Sequence, residues 1–175
     1  MVATSTLLLI FGLRETSDSW GDALQLWWSL VRNRFVAIKR IVIYLDNGPN
    51  NSGSRTQFLK RMVQFADWSG LEIRLVYYPP YHSKYNPVER CWSSLESKFC
   101  GVLMSCVSFV LDCARRMTWK GEHPTVHELE ALDYPNGVKL SKPEMAPWEA
   151  RLKRSATLPK YDITIKPLIA RLAVS

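Results

Sequence analysis

Apolar and polar positions switch along this chain between an extended run and a helical period, and the switches mark the elements. The opening apolar stretch at 5–12, STLLLIFG, predicts a buried strand ending at Gly12. Residues 16–35 then offer Thr16, Ser17 and Asp18 as helix-start residues, followed by Ala23, Leu24, Trp27, Trp28 and Val31 at helical spacing. KRIVIYLDN (39–47) is β-branched and almost continuously apolar, which predicts a strand buried on both faces, with Asp46 at its C-terminal end. The polar NGPNNSGS (47–54) predicts a loop. RTQFLKRMVQFADWSG (55–70) predicts a helix with Phe58, Leu59, Met62, Phe65 and Ala66 inward and Gly70 closing it.

LEIRLVYY (71–78) predicts a further strand, stopped by Pro79-Pro80. A helix from Pro87 to Phe99 follows, with Val88, Trp92, Leu95 and Phe99 as its apolar stripe and Pro87 at its first position. Residues 103–119 predict another helix. Alternating strands and helices imply an α/β layered fold. From Asp133 onward the period weakens, because prolines at 135, 143, 147, 159 and 167 interrupt it. Between Lys139 and Ser175 there are eight Lys or Arg against three Asp or Glu. This reading divides the chain into a domain at 1–132 and an extended basic tail at 133–175, which either wraps the domain or lies on an anionic partner.

Composition narrows the classes. At 175 residues, with seven Trp and seven Tyr, the chain suits one folded domain and excludes a mostly disordered one. Its net charge of +7 suits an anionic partner, and charge alone does not choose between nucleic acid, an acidic protein and simple solubility. Cys91, Cys100, Cys106 and Cys113 contain no C-x-x-C pair, and their spacing suits buried free thiols in a reducing compartment. His123 and His127 resemble half a metal site, but no cysteine pair lies near them. The first apolar run is too short to span a membrane and has no basic residues before it, as a signal peptide would; the expected location is cytoplasmic.

Two carboxylates carry the candidate chemistry. Asp46 stands where open α/β sheets place their ligands, although Asp before Asn-Gly-Pro also caps turns. Glu89 sits in a first helical turn, where the helix dipole favours an acid with or without a catalytic role. Together, carboxylates at a strand end and a helix start can converge on a hard divalent cation. Two ions in phosphoryl transfer activate the attacking oxygen and stabilise the leaving one, and a third acid is normally needed to hold them. Glu15, Asp18 and Asp22 read as helix-start acids instead.

The segments YLDNGPNNSGSRTQFLKRM, LVYYPPYHSKYNPVERCW and MTWKG resemble bacterial insertion-sequence DDE transposases of the Rhodopirellula-type group, in the C-terminal part of the catalytic domain. The resemblance runs from about Thr16 to Ile165. It implies a ribonuclease-H-like fold and metal-dependent DNA strand cleavage and transfer. Asp46 matches the second acid and Glu89 the third, both as ligands of Mg2+ or Mn2+. The strand at 5–12 matches the third strand of that fold, so the first two strands and the first aspartate have no counterpart here. The expectation is therefore a truncated or split transposase, inactive or nearly so alone, that binds transposon-end DNA. Its further partners are the missing N-terminal half or a second transposase copy, and its metal is held weakly. A non-enzymatic DNA-binding or interaction remnant of a transposase and a nuclease using another acid remain as alternatives. Asn47, Lys84 and Arg90 are the candidate DNA contacts, although capping its loop is the favoured role of Asn47. His82, Tyr78, Tyr81 and Tyr85 are lesser candidates for hydrogen bonding or base stacking, beside plain packing roles.

Overall fold

Inward-facing apolar residues at every second position, in strands far apart in sequence, build the larger of two sheets. The computed structural model describes residues 6–79, 87–99, 106–130 and 133–168, with the backbone alone at 87–90 and 98–99. These fall into two compact units, one made of 14–80 and 133–175, the other of 1–13 and 81–132. Among the described residues there are five α-helices and two sheets, a mixed α/β architecture. None of these helices is long and apolar enough to cross a membrane.

In the unit of 14–80 and 133–175, α1 (Ser17–Val31) starts at Thr16, whose side chain accepts from the Ser19 amide while the Ser19 side chain accepts from the Thr16 amide. A short 3-10 turn at Arg32–Arg34 leads to β2 (Arg40–Leu45), numbered after the strand β1 (Leu8–Phe11) of the other unit. Then α2 (Thr56–Ser69) ends at Gly70, whose φ of 71° is the left-handed conformation that glycine adopts without steric cost. β3 (Glu72–Tyr77) runs parallel to β2, in register from Arg40 opposite Glu72 to Leu45 opposite Tyr77. Phe58, Leu59, Met62, Phe65 and Ala66 of α2 are all fully buried against Ile73, Leu75 and their neighbours. Burial of each large side chain stabilises the fold by roughly 1.5–3 kcal/mol.

The expected extended tail is corrected here. Residues 142–165 supply α5 (Lys142–Glu149) and the strands β5 (Leu152–Arg154) and β6 (Asp162–Ile165). The sheet order is β2-β3-β6-β5, with β6 antiparallel to β3. Ile163 and Ile165 are fully buried and Met145 nearly so. Two of the interrupting prolines sit inside the short α5, Pro143 in its first turn behind the capping residue Ser141 and Pro147 in its interior. Proline is tolerated in a first turn, as at Pro143, whereas Pro147 interrupts the helical hydrogen bonding and α5 ends two residues later, at Glu149.

The expectation that β2 is buried on both faces is also corrected. Ile41 and Leu45 are inside, but Val42 is 41% and Tyr44 61% exposed. β2 pairs with β3 on one side only, and it is an edge of the sheet that the described residues form.

In the unit of 1–13 and 81–132, β1 pairs in parallel with β4 (Thr125–Glu128), with Leu8 opposite Thr125 and Ile10 opposite His127. α3 (Pro87–Phe99) has the bounds the sequence predicts, while α4 (Val107–Arg116) is shorter than 103–119. Leu95, Leu9, Ala114 and Met117 form the core of this unit. On α3 it is Cys91 that is buried beside Leu95's turn, whereas Trp92, expected inward, is 44% exposed. Cys91 and Leu95 are four apart and so share one helix face, with Trp92 about 100° round from Cys91 and about 60° from Leu95. The thiols are not uniformly buried either: Cys106 is exposed and Cys113 half-exposed.

Candidate active site

Asp46 follows the C-terminal end of β2, one residue beyond the buried Leu45. A strand end leaves its next residue free of ladder hydrogen bonds, and Asp46 uses that freedom to organise its own loop. Its Oδ1 accepts from the Gly48 amide at 3.3 Å and from Asn51 Nδ2 at 2.9 Å. Among the described residues its Oδ2 accepts no hydrogen bond. Asn47 takes φ 65°, and its Oδ1 accepts from the Gly53 amide at 3.4 Å, so its side chain braces the turn.

The loop is tied down at both ends. Ser17 Oγ donates to the Asn50 carbonyl at 2.7 Å, and Asn50 Nδ2 donates to the Glu15 carbonyl at 2.9 Å. At the far end, an Arg154 guanidinium nitrogen donates to the Gly53 carbonyl at 2.9 Å. Gly53 lies against the Lys160 carbonyl and the Tyr77 ring with no room for a Cβ. Burial pushes the Tyr77 phenol far above its ordinary range, partly opposed by Arg154. Tyr78, the next residue, lies with its ring 6.0 Å from that of Tyr44.

The other acids of this unit are committed elsewhere. Asp18 accepts from Gln57 Nε2 at 2.7 Å, Asp22 pairs with Arg61, and Tyr134 donates to Asp22 Oδ2 at 2.9 Å. Thr16 rather than either aspartate is the N-cap of α1; both acids reach across to α2. Burial and the bond to Asp22 push the Tyr134 phenol up to about 12. No sequence period signals this network, because Tyr134 lies 112 residues from Asp22.

Glu89 and Arg90 fall in the first turn of α3, where the backbone alone is described. Lys84, His82, Tyr81 and Tyr85 lie outside the described residues. His123 Nδ1 bonds the Met117 carbonyl at 2.9 Å, and His127 belongs to β4. Among the described residues no group of three or more His, Cys, Asp or Glu side chains could hold a metal ion. Asp46 thus offers a hard oxygen ligand of the kind Mg2+ prefers, but its unit does not complete a cation site from described residues. Asn51 is the functional candidate that sequence reading missed; in a run of polar loop residues only its burial, to 2% exposure, sets it apart.

No curated protein and no solved structure matches this chain. The family model of the Rhodopirellula transposase DDE domain matches residues 4–167, nearly its whole length. The chain belongs to the Rhodopirellula transposase DDE domain family.

Proposed function

We infer that this chain carries the second and third acids of a transposase catalytic centre, Asp46 and Glu89, on a ribonuclease-H-like scaffold. The observation that carries this reading is Asp46 itself: an exposed carboxylate at the end of a parallel strand, with one oxygen held and the other accepting no hydrogen bond among the described residues. Asp46 and Glu89 would hold the divalent cation, Mg2+ or Mn2+, whose chemistry is to activate water or a 3′-hydroxyl and to stabilise the leaving oxygen. The protein's own contribution is orientation. Gly48 and Asn51 fix the Asp46 carboxylate, and Ser17 and Arg154 hold the loop against movement. Lys84 and Arg90 flank Glu89 in sequence and are suited to phosphates of the transposon-end DNA.

The first acid has no counterpart in these 175 residues, so the reading requires it to come from another segment. Among the described residues β2 pairs on one side only, which supports a sheet continued by a further strand at that edge.

The test is Mg2+-dependent cleavage of DNA bearing the ends of the encoding element, by this chain coexpressed with the product of the DNA immediately upstream. Activity lost in both Asp46→Asn and Glu89→Gln is expected. Cleavage that survives either substitution overturns the assignment. Salt-sensitive DNA binding with no cleavage under any pairing would favour the non-enzymatic reading instead.

A further inference from the structure

We propose that Asn51 is a positioning residue for Asp46: it pins Oδ1 so that Oδ2 is the oxygen offered to the reaction centre. The proposal deepens the reading of Asp46 as a catalytic acid and rests on it.

Four observations converge. Asn51 is 2% exposed, and its Nδ2 lies 2.9 Å from Asp46 Oδ1. The amide orientation follows from chemistry, because only the NH2 group can face a carboxylate oxygen. That orientation leaves Asn51 Oδ1 buried and without a partner among the described residues. A buried acceptor left unpaired is unfavourable, and an apolar side chain would fill the same space without that cost. Asparagine here is therefore explained by its donor, whose target is Asp46. Last, a Cβ added at Gly48 would stand 3.3 Å from Asn51 Oδ1, a tight contact, and 3.5 Å from Asp46 Oδ1, an ordinary one. The glycine leaves room for the amide and the carboxylate to meet while its own N–H, at the longer 3.3 Å, joins the same oxygen.

Both donors act on one oxygen. A carboxylate held on one side loses rotational freedom about χ1 and χ2 and presents its other oxygen in a single direction. This pre-organises a ligand before any cation arrives, as hydrogen-bond partners behind metal-binding carboxylates do.

The experiment uses the full chain labelled with 13C and 15N. Three-bond couplings from the Asp46 carboxyl carbon to its backbone nitrogen and carbonyl report its χ1 populations. The native chain should show one rotamer, and Asn51→Ala should show averaging. Asn51→Asp, nearly isosteric and without the donor, serves as a second variant if the alanine variant folds poorly. Several rotamers in the native chain, or one unchanged rotamer in the folded variants, would overturn the proposal.

A parallel Mn2+ titration follows paramagnetic broadening of the Asn47 and Gly48 amides. The Asn51 variants should require roughly ten times more Mn2+ for equal broadening. Asp46→Asn separates the two ideas. If native chain and Asp46→Asn respond alike to Mn2+, the metal-ligand reading fails, and the couplings still decide whether Asn51 positions Asp46.

Discussion

Arg154, at the end of β5, donates to the carbonyl of Gly53, 101 residues away, at 2.9 Å. This bond joins the C-terminal part of the chain to the loop that begins at Asp46. The same guanidinium pairs with Glu149 and donates to the Pro159 carbonyl at 3.0 Å, so its position is held from three sides. The segment read from sequence as a tail is thus a brace for the candidate site.

Gly53→Ala should destabilise the protein by about 1–3 kcal/mol, the range for forcing atoms into a packed site. The added methyl would have to displace the Lys160 backbone, not a flexible side-chain tip. Thermal unfolding measures the loss. Arg154→Met keeps most of the side-chain volume and removes the hydrogen bonds, and it should broaden the amide resonances of residues 47–53. A stable Gly53→Ala variant with an unchanged loop would show that the brace is not needed.

Ile163→Ala should cost about 2–5 kcal/mol, as for other fully buried aliphatic residues cut to alanine. Lys153→Ala, on the neighbouring strand with its side chain exposed, should change stability by no more than about 0.5 kcal/mol. Denaturant unfolding of both variants checks the contrast. Equal and small effects would mean that β6 is not part of the cooperative core.

Alkaline pH should expose the Tyr134–Asp22 contact. Burial and the bond to Asp22 raise the folded-state value of the Tyr134 phenol to about 12, against about 10 in an unfolded chain. A group whose folded value is raised contributes stability that is complete below the unfolded value. That contribution is lost as pH climbs from about 10 through about 12. Native stability should therefore decline over that window, and Tyr134→Phe should decline less. Chemical denaturation at a series of pH values is the measurement; parallel slopes for the two proteins would contradict the assignment.

How much of this was legible in sequence depended on whether a signal is local. The helix at α2 announced its inward residues and its Gly70 stop because helical period and capping act within a few residues. The loop after Asp46 was legible for the same reason, since Asn-Gly-Pro restricts its own backbone. β6 was hidden because Asp162–Ile165 is four residues long and depends on β3 for its hydrogen bonds. The resemblance carried by D-N-G-P and P-P-x-x-S-K-x-N-x-x-E marked the family, which the match over residues 4–167 established.

What the sequence by itself determined were the element types from β1 to α4, the turn chemistry and the identity of the two acids worth testing. Only the tertiary structure decided which face of β2 is covered, that the C-terminal segment adds two strands to the sheet, and which asparagine meets Asp46. Asn50 and Asn51 are adjacent and chemically identical, yet Asn50 bonds the Glu15 carbonyl while Asn51 is buried against the carboxylate. The physical reason is that burial and hydrogen-bond partners are set by chain segments remote in sequence, and no local pattern encodes which of two neighbours will face them.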